Sequence, residues 1–196
     1  LGKYLALLVV YLIPLAIISL YPLIFSQYGD VYLLTAYGSI LAFFILGAAL
    51  IALGVFISSL TENQGFAAGI GIAVILLNYY SVSLSQSVSS TAFGSLVALA
   101  ALIVALGFII KHLTKNNPMV WTICIALYAA MLIAYWVHHT KFEGLLPIIM
   151  TTLSLIERFY VFVNGVFDVT GIVYYLTVIV FFLFLSVQSL EKRRYN

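Results

Sequence analysis

Glu157 and Arg158 stand together inside an otherwise apolar stretch, Phe142 to Phe167, and are the charges best placed to do something. Ionisable groups at membrane depth are costly and usually pair or face water. Neighbours in sequence point about 100° apart on a helix, so these two do not simply neutralise each other. Two readings stay open. Either both side chains snorkel to the headgroups from an interfacial helix, or they line an outer gate or translocation path with Asp168, which starts the last apolar run and also suits a helix cap. Asp30 is read the same way, as a cap on the outer side. Glu62 and Asn63 follow Ser58-Ser59-Leu60-Thr61 in a tight turn and fit either a solvated cap or contact with a cytoplasmic partner.

Other chemistries fail on residue type. A helix would bring His139 and Glu143 onto one face beside His138, but zinc wants three or four fixed ligands. With Tyr135 and Trp136 alongside, this cluster reads as interfacial anchoring, and no metal site is expected. There is no glycine-rich phosphate loop with its Lys and Ser or Thr, no His-Glu-x-x-His and no Gly-x-Ser-x-Gly. The chain is therefore not expected to be an enzyme or to hold ATP itself. Nor do its apolar runs carry the buried acid or lysine relay of an ion-driven pump. The energy for any transport then comes from another chain.

The elements that must position these residues are membrane spans. Of the 196 residues 65% are hydrophobic and 7% charged, with a mean hydropathy of +1.21, a composition outside the soluble range. The clearest span runs from Gly171 to Leu190, twenty uncharged residues covering roughly 30 Å of hydrocarbon as helix. Lys192, Arg193 and Arg194 follow it, cations of the kind retained on the cytoplasmic side. Five further spans are expected at about Tyr4 to Phe25, Tyr32 to Ser58, Gly65 to Tyr80, Phe93 to Ile110 and Val120 to Val137, the third being short. Ser81 to Thr91 reads as an external loop.

The segment Phe142 to Phe167 decides the topology. If it does not cross, both ends are cytoplasmic, and Lys3, Lys111, Lys115, Lys192, Arg193 and Arg194 lie inside against Lys141 and Arg158 outside. That six-to-two bias selects six spans with an outer-face re-entrant or interfacial helical hairpin over 142–167 before the last span, broken by Pro147 and Gly165. The expected fold is all-α and polytopic, a single transmembrane domain over 1–196. Pro14 and Pro22 should bend or end the first span. Gly47, Ala48, Ala49, Ala52 and Gly54 in the second, and Gly65, Ala68, Gly69 and Gly71 in the third, suit close helix packing or a sliding surface. Cys124 reads as a packing residue. The +2 net charge and scattered basic residues argue against nucleic acid. No cleavable signal peptide is expected, and the start at Leu1 suggests a fragment of something longer.

Three stretches together resemble the permease subunits of ABC-2-type exporters, in particular the gliding-motility and copper-enzyme-maturation branch. They are LGKYLA at Leu1 to Ala6, LGVFISSLTENQ at Leu53 to Gln64, and GVFDVTGIVYYL at Gly165 to Leu176 with LEKRR at Leu190 to Arg194. The resemblance leaves Ser81 to Thr140 unaccounted for. It departs at Tyr160, where many relatives carry an acid, and at Thr170-Gly171, where an Arg-Asp pair is common. It implies outer re-entrant helices before the last span and a missing N-terminal part with two spans and a cytoplasmic coupling helix. The spans between Phe93 and Val137 would be an addition, making about eight in a complete chain. The resemblance also implies a bacterial cell membrane, separate ATP-binding-cassette subunits that hold ATP and Mg, and a second permease copy or related permease. An ion-coupled secondary transporter or channel-like protein, and a membrane anchor or scaffold, are the competing readings.

Overall fold

A chain in hydrocarbon has no water to satisfy its N–H and C=O groups, so helices, which close those bonds locally, are what an apolar sequence of this kind can form. The computed structural model describes residues 1–87, 91–113, 117–137 and 142–195, and no strand occurs among them. The helices are α1 (Gly2–Phe25), α2 (Leu33–Leu60), α3 (Gln64–Ser87), α4 (Ala92–Leu113), α5 (Asn117–Val137), α6 (Leu145–Thr152), α7 (Leu155–Val163) and α8 (Val169–Tyr195). The expectations resting on Lys115, His138, His139 and Lys141 lie outside the described residues.

Length and apolarity qualify four helices as membrane spans: α1, α2, α3 and, over Val169–Glu191, α8. The count becomes five if α6 and α7, interrupted at Leu153-Ser154, form one crossing. This is a multi-pass helical membrane protein by composition and length. The expected count of six is not reached, because the described apolar stretches of α4 and α5 are the shorter Ala92–Ala101 and Cys124–Ile133.

Several local expectations change. The third span is not short, because α3 continues through Ser81 to Ser87, the residues read as a loop. The serines keep the helix by folding back on it: Ser85 Oγ donates to Val82 O at 2.6 Å and Ser87 Oγ to Ser83 O at 3.3 Å. Pro14 and Pro22 do not end α1, which is continuous through both; each costs one helix bond, a loss tolerated in membrane helices. Pro147 is not the break in the 142–167 segment. It is the third residue of α6, in the first turn, where N–H groups lack intrahelical partners anyway. Gly144, at φ +70°, precedes α6.

The described chain divides into two compact units, Leu1–Tyr79 with Ser154–Asn196, and Tyr80–Leu153. In the second, α4 packs on α5 and on α6. In the first, α2 is the hub, packed by α1, α7 and α8. Over the apolar windows 39% of α2 is buried, against 6% of α1. Its small residues make this possible: Ala48, Ala49 and Ala52 are buried, and Gly47 faces the Tyr11 ring so closely that a Cβ would collide with it. Leu46 and Ala49 meet Leu155 of α7 and Tyr175 of α8 to form the core. Tyrosine hydroxyls stitch α1 to α2, with Tyr11 donating to Phe43 O at 2.8 Å and Tyr37 to Ser19 O at 3.2 Å.

Contacts at both ends show that α2 and α8 run parallel. Near their C-termini Ser189 Oγ donates to Ser59 O at 3.1 Å, and the Phe56 and Phe182 rings lie 5.5 Å apart. At the opposite end, the turn just before α8 meets the start of α2, where a Cβ on Gly165 would lie 3.4 Å from Thr35.

Candidate functional site

The charges singled out from the sequence, Glu157, Arg158 and Asp168, fall on α7 and the turn that joins it to α8. Two capping arrangements build this elbow. Ser154 precedes α7 in extended backbone, and its Oγ accepts from Glu157 N at 3.2 Å. Ser154-Leu155-Ile156-Glu157 is thus a Ser-x-x-Glu helix start, a signal present in the sequence that the breaker argument passed over. At the other end Gly165 takes φ +83°. Its N–H bonds Phe162 O at 3.0 Å and Val166 N bonds Val161 O at 3.2 Å, the paired pattern of a glycine-terminated helix. Gly165 is a breaker as expected, since a side chain there would be strained.

Leu155 is held on both backbone groups by side chains from other helices. Asn78 of α3 accepts from Leu155 N at 3.1 Å, and Tyr175 of α8, fully buried, donates to Leu155 O at 2.6 Å. Ser39 of α2 donates to Phe162 O at 3.2 Å. These are the positioning residues that sequence reasoning missed. Asn78 carried a signal, a lone amide within an apolar run; Tyr175 carried none among fourteen tyrosines.

This frame separates the two adjacent charges. Glu157 is exposed, while Arg158 is half-buried with its guanidinium carbon 5.3 Å from the centre of the Tyr174 ring, a cation–π contact. Phe159 turns inward onto Phe43, ring centres 6.0 Å apart, and Tyr160 is exposed. Asp168 acts as the cap of α8, its two carboxylate oxygens accepting from Thr170 N at 2.9 Å and Gly171 N at 3.1 Å. Gly171 stands where a side chain would press on Phe162, 3.0 Å from the Cβ position.

The second candidate, Glu62 with Asn63, lies in the turn between α2 and α3. Asn63 caps α3, its Oδ1 accepting from Gly65 N at 3.0 Å and Phe66 N at 3.2 Å. Glu62 is exposed. The turn follows the α2 end to which Ser189 ties α8, so Glu62 and the C-terminal basic run belong to one end of the first unit. Asp30 is exposed, and no side chain caps α2. Among the described residues no group of His, Cys, Asp and Glu could hold a metal ion. The arrangement fixes the α7–α8 elbow and the charges that it carries. No protein-family model, curated protein or solved structure matches the chain.

Proposed function

We propose that this chain is the transmembrane permease subunit of an ATP-binding-cassette exporter, forming the substrate path and driven by separate ATPase subunits that bind ATP and Mg. The observation that carries the reading is the placement of the three resembling stretches. All of them fall in the first compact unit, and the unaccounted segment, Ser81 to Thr140, falls in the second. Two of them also sit at structural joints, the α2–α3 turn and the elbow leading into α8.

In this reading the chain crosses six times, with α4 and α5, of 22 and 21 residues, both spanning. The parallel course of α2 and α8 is compatible with it, since an odd number of crossings must separate two parallel spans; α3 alone would satisfy this too, whereas an added crossing by α6–α7 would not. Helices α3, α4 and α5 supply three, and α6–α7 then enters and leaves on one face. In this reading that face is the outer one and both ends are cytoplasmic, as the six-to-two distribution of basic residues favours, in the bacterial cell membrane that the resemblance implies. Glu157 and Arg158 line the outer gate, with Asp168 fixing the elbow that carries them. Glu62 and Asn63 meet a cytoplasmic partner, and a second permease completes the path. ATP binding would close the ATPase pair, tilt the spans and open the path outward.

Affinity purification of the full-length protein from native membranes, followed by mass spectrometry, tests this. A nucleotide-binding subunit should co-purify, and ATPase activity should reside in the complex and be absent from this chain alone. Recovery without any ATPase, together with uptake driven by an ion gradient, would overturn the reading.

A further inference from the structure

A cavity of about 380 Å³ opens between the first turns of α2 and the chain leaving α7, within the first unit. Leu34, Gly38 and Leu41 line one side and Phe162, Val166 and Phe167 the other. Its walls are fixed rather than incidental. The glycine-terminated end of α7 sets the turn, Ser39 Oγ bonds Phe162 O at 3.2 Å, and Phe162 and Phe167 meet edge to face at 5.9 Å.

Water is a poor occupant. A space of this size would take many waters, each needing two to four polar partners. The lining side chains offer only the hydroxyls of Thr35 and Tyr37, and Tyr37 already donates to Ser19 O. Left empty, the walls would lose their dispersion partners on one side. Among the described residues no charged side chain lines the cavity, so none of them selects an anion or a cation there. Its depth points to the occupant. Helix α2 begins at Leu33, which places Leu34 to Leu41 within about 12 Å of the helix start. Tyr28 and Tyr32, each 85% exposed, stand just before it, as tyrosines do at a membrane–water interface.

We propose that this cavity is a built binding site for one acyl chain of a bilayer phospholipid, selected by the chain and not by the headgroup. The inference needs only the membrane placement and is independent of the exporter reading. It differs from ordinary lipid contact. The broad apolar surface of Val173, Leu176, Val180, Phe181 and Phe184 belongs to α8 alone, whereas this cavity has walls from two elements.

The test uses the purified full chain in nanodiscs containing phosphatidylcholine with a diazirine at the end of one acyl chain, with adducts mapped by mass spectrometry. Adducts should concentrate at Leu41 and Val166. In Gly38→Leu they should be largely lost, while those at Val180 and Phe184 persist. A Cβ at Gly38 meets nothing within 4 Å, so the position accepts a side chain at its base without collision. Leu34→Trp, at a position 90% exposed, obstructs the mouth as a second variant and should act alike. A phosphatidylglycerol probe should label equally well. Adducts spread evenly over all exposed faces and unchanged by both variants would mean annular lipid only. Labelling of α8 without the cavity would mean that another segment covers it. Strong preference for the anionic probe would mean headgroup recognition. Any of the three overturns the proposal.

Discussion

Asn78→Ala should destabilise this protein more than Tyr175→Phe, although both remove one side-chain bond to the same residue. Leu155 is the first residue of α7, and its N–H has no partner within that helix. Asn78 Oδ1, at 3.1 Å, supplies one, at a residue only 3% exposed. Removing it strands a buried donor, which costs about 1–3 kcal/mol. The carbonyl of Leu155 faces up the helix and keeps an intrahelical donor, so loss of the Tyr175 hydroxyl at 2.6 Å forfeits only a net bond. Bonds of that kind average about 0.6 kcal/mol between membrane helices. For a chain of this size 1 kcal/mol corresponds to about 2–4 °C in Tm, so Asn78→Ala should lose several degrees and Tyr175→Phe one or two. The double variant should fall short of additivity, because both side chains hold the same residue, Leu155. Heating in detergent followed by size-exclusion chromatography of the remaining monodisperse protein measures all three. An unchanged Asn78→Ala, or a larger loss in Tyr175→Phe, would refute the argument that α7 is held chiefly through its N-terminal donor.

Gly47→Ala should cost about 1–3 kcal/mol by forcing the Tyr11 ring aside and weakening its bond to Phe43 O, while Gly54→Ala, with nothing within 4 Å, should be neutral or slightly stabilising in the same assay. Asp168→Ala should lose about 0.5–2 kcal/mol with the α8 cap, and Asp168→Asn should restore most of it, read again as thermal stability. In a Cys124→Ser background, cysteines at Lys115 and Lys192 should resist an impermeant thiol reagent outside intact cells, and those at Asp30 and Glu143 should react; outside labelling at 192 refutes the six-span course. Arg158→Gln should lower stability by about 0.5–1 kcal/mol through lost contact with Tyr174. If the outer-gate assignment holds, both it and Glu157→Gln alter stimulation of the partner ATPase with the complex intact, and parental activity in both removes these charges from the mechanism.

Membrane residence, the terminations at Gly165 and Asp168, and the divergence of Glu157 from Arg158 were legible from residue type and local spacing. Each depends on interactions within a few residues of chain. The extension of α3 through Ser81 to Ser87 was misread because serine permits both loop and helix, and neighbouring carbonyls decided between them. Ser154 could have been found from its Ser-x-x-Glu spacing. What only the tertiary structure decided is which faces meet: that α2 is the hub, that it runs parallel to α8, that Gly47 receives Tyr11, and that Asn78 and Tyr175 converge on Leu155. In water an amphipathic stripe announces the inward face of a helix. In hydrocarbon both lipid and neighbouring helices are apolar, so no such stripe is required, and small residues with a few hydrogen bonds choose the partners. Those choices join residues as far apart as Ser59 and Ser189, which local sequence does not encode.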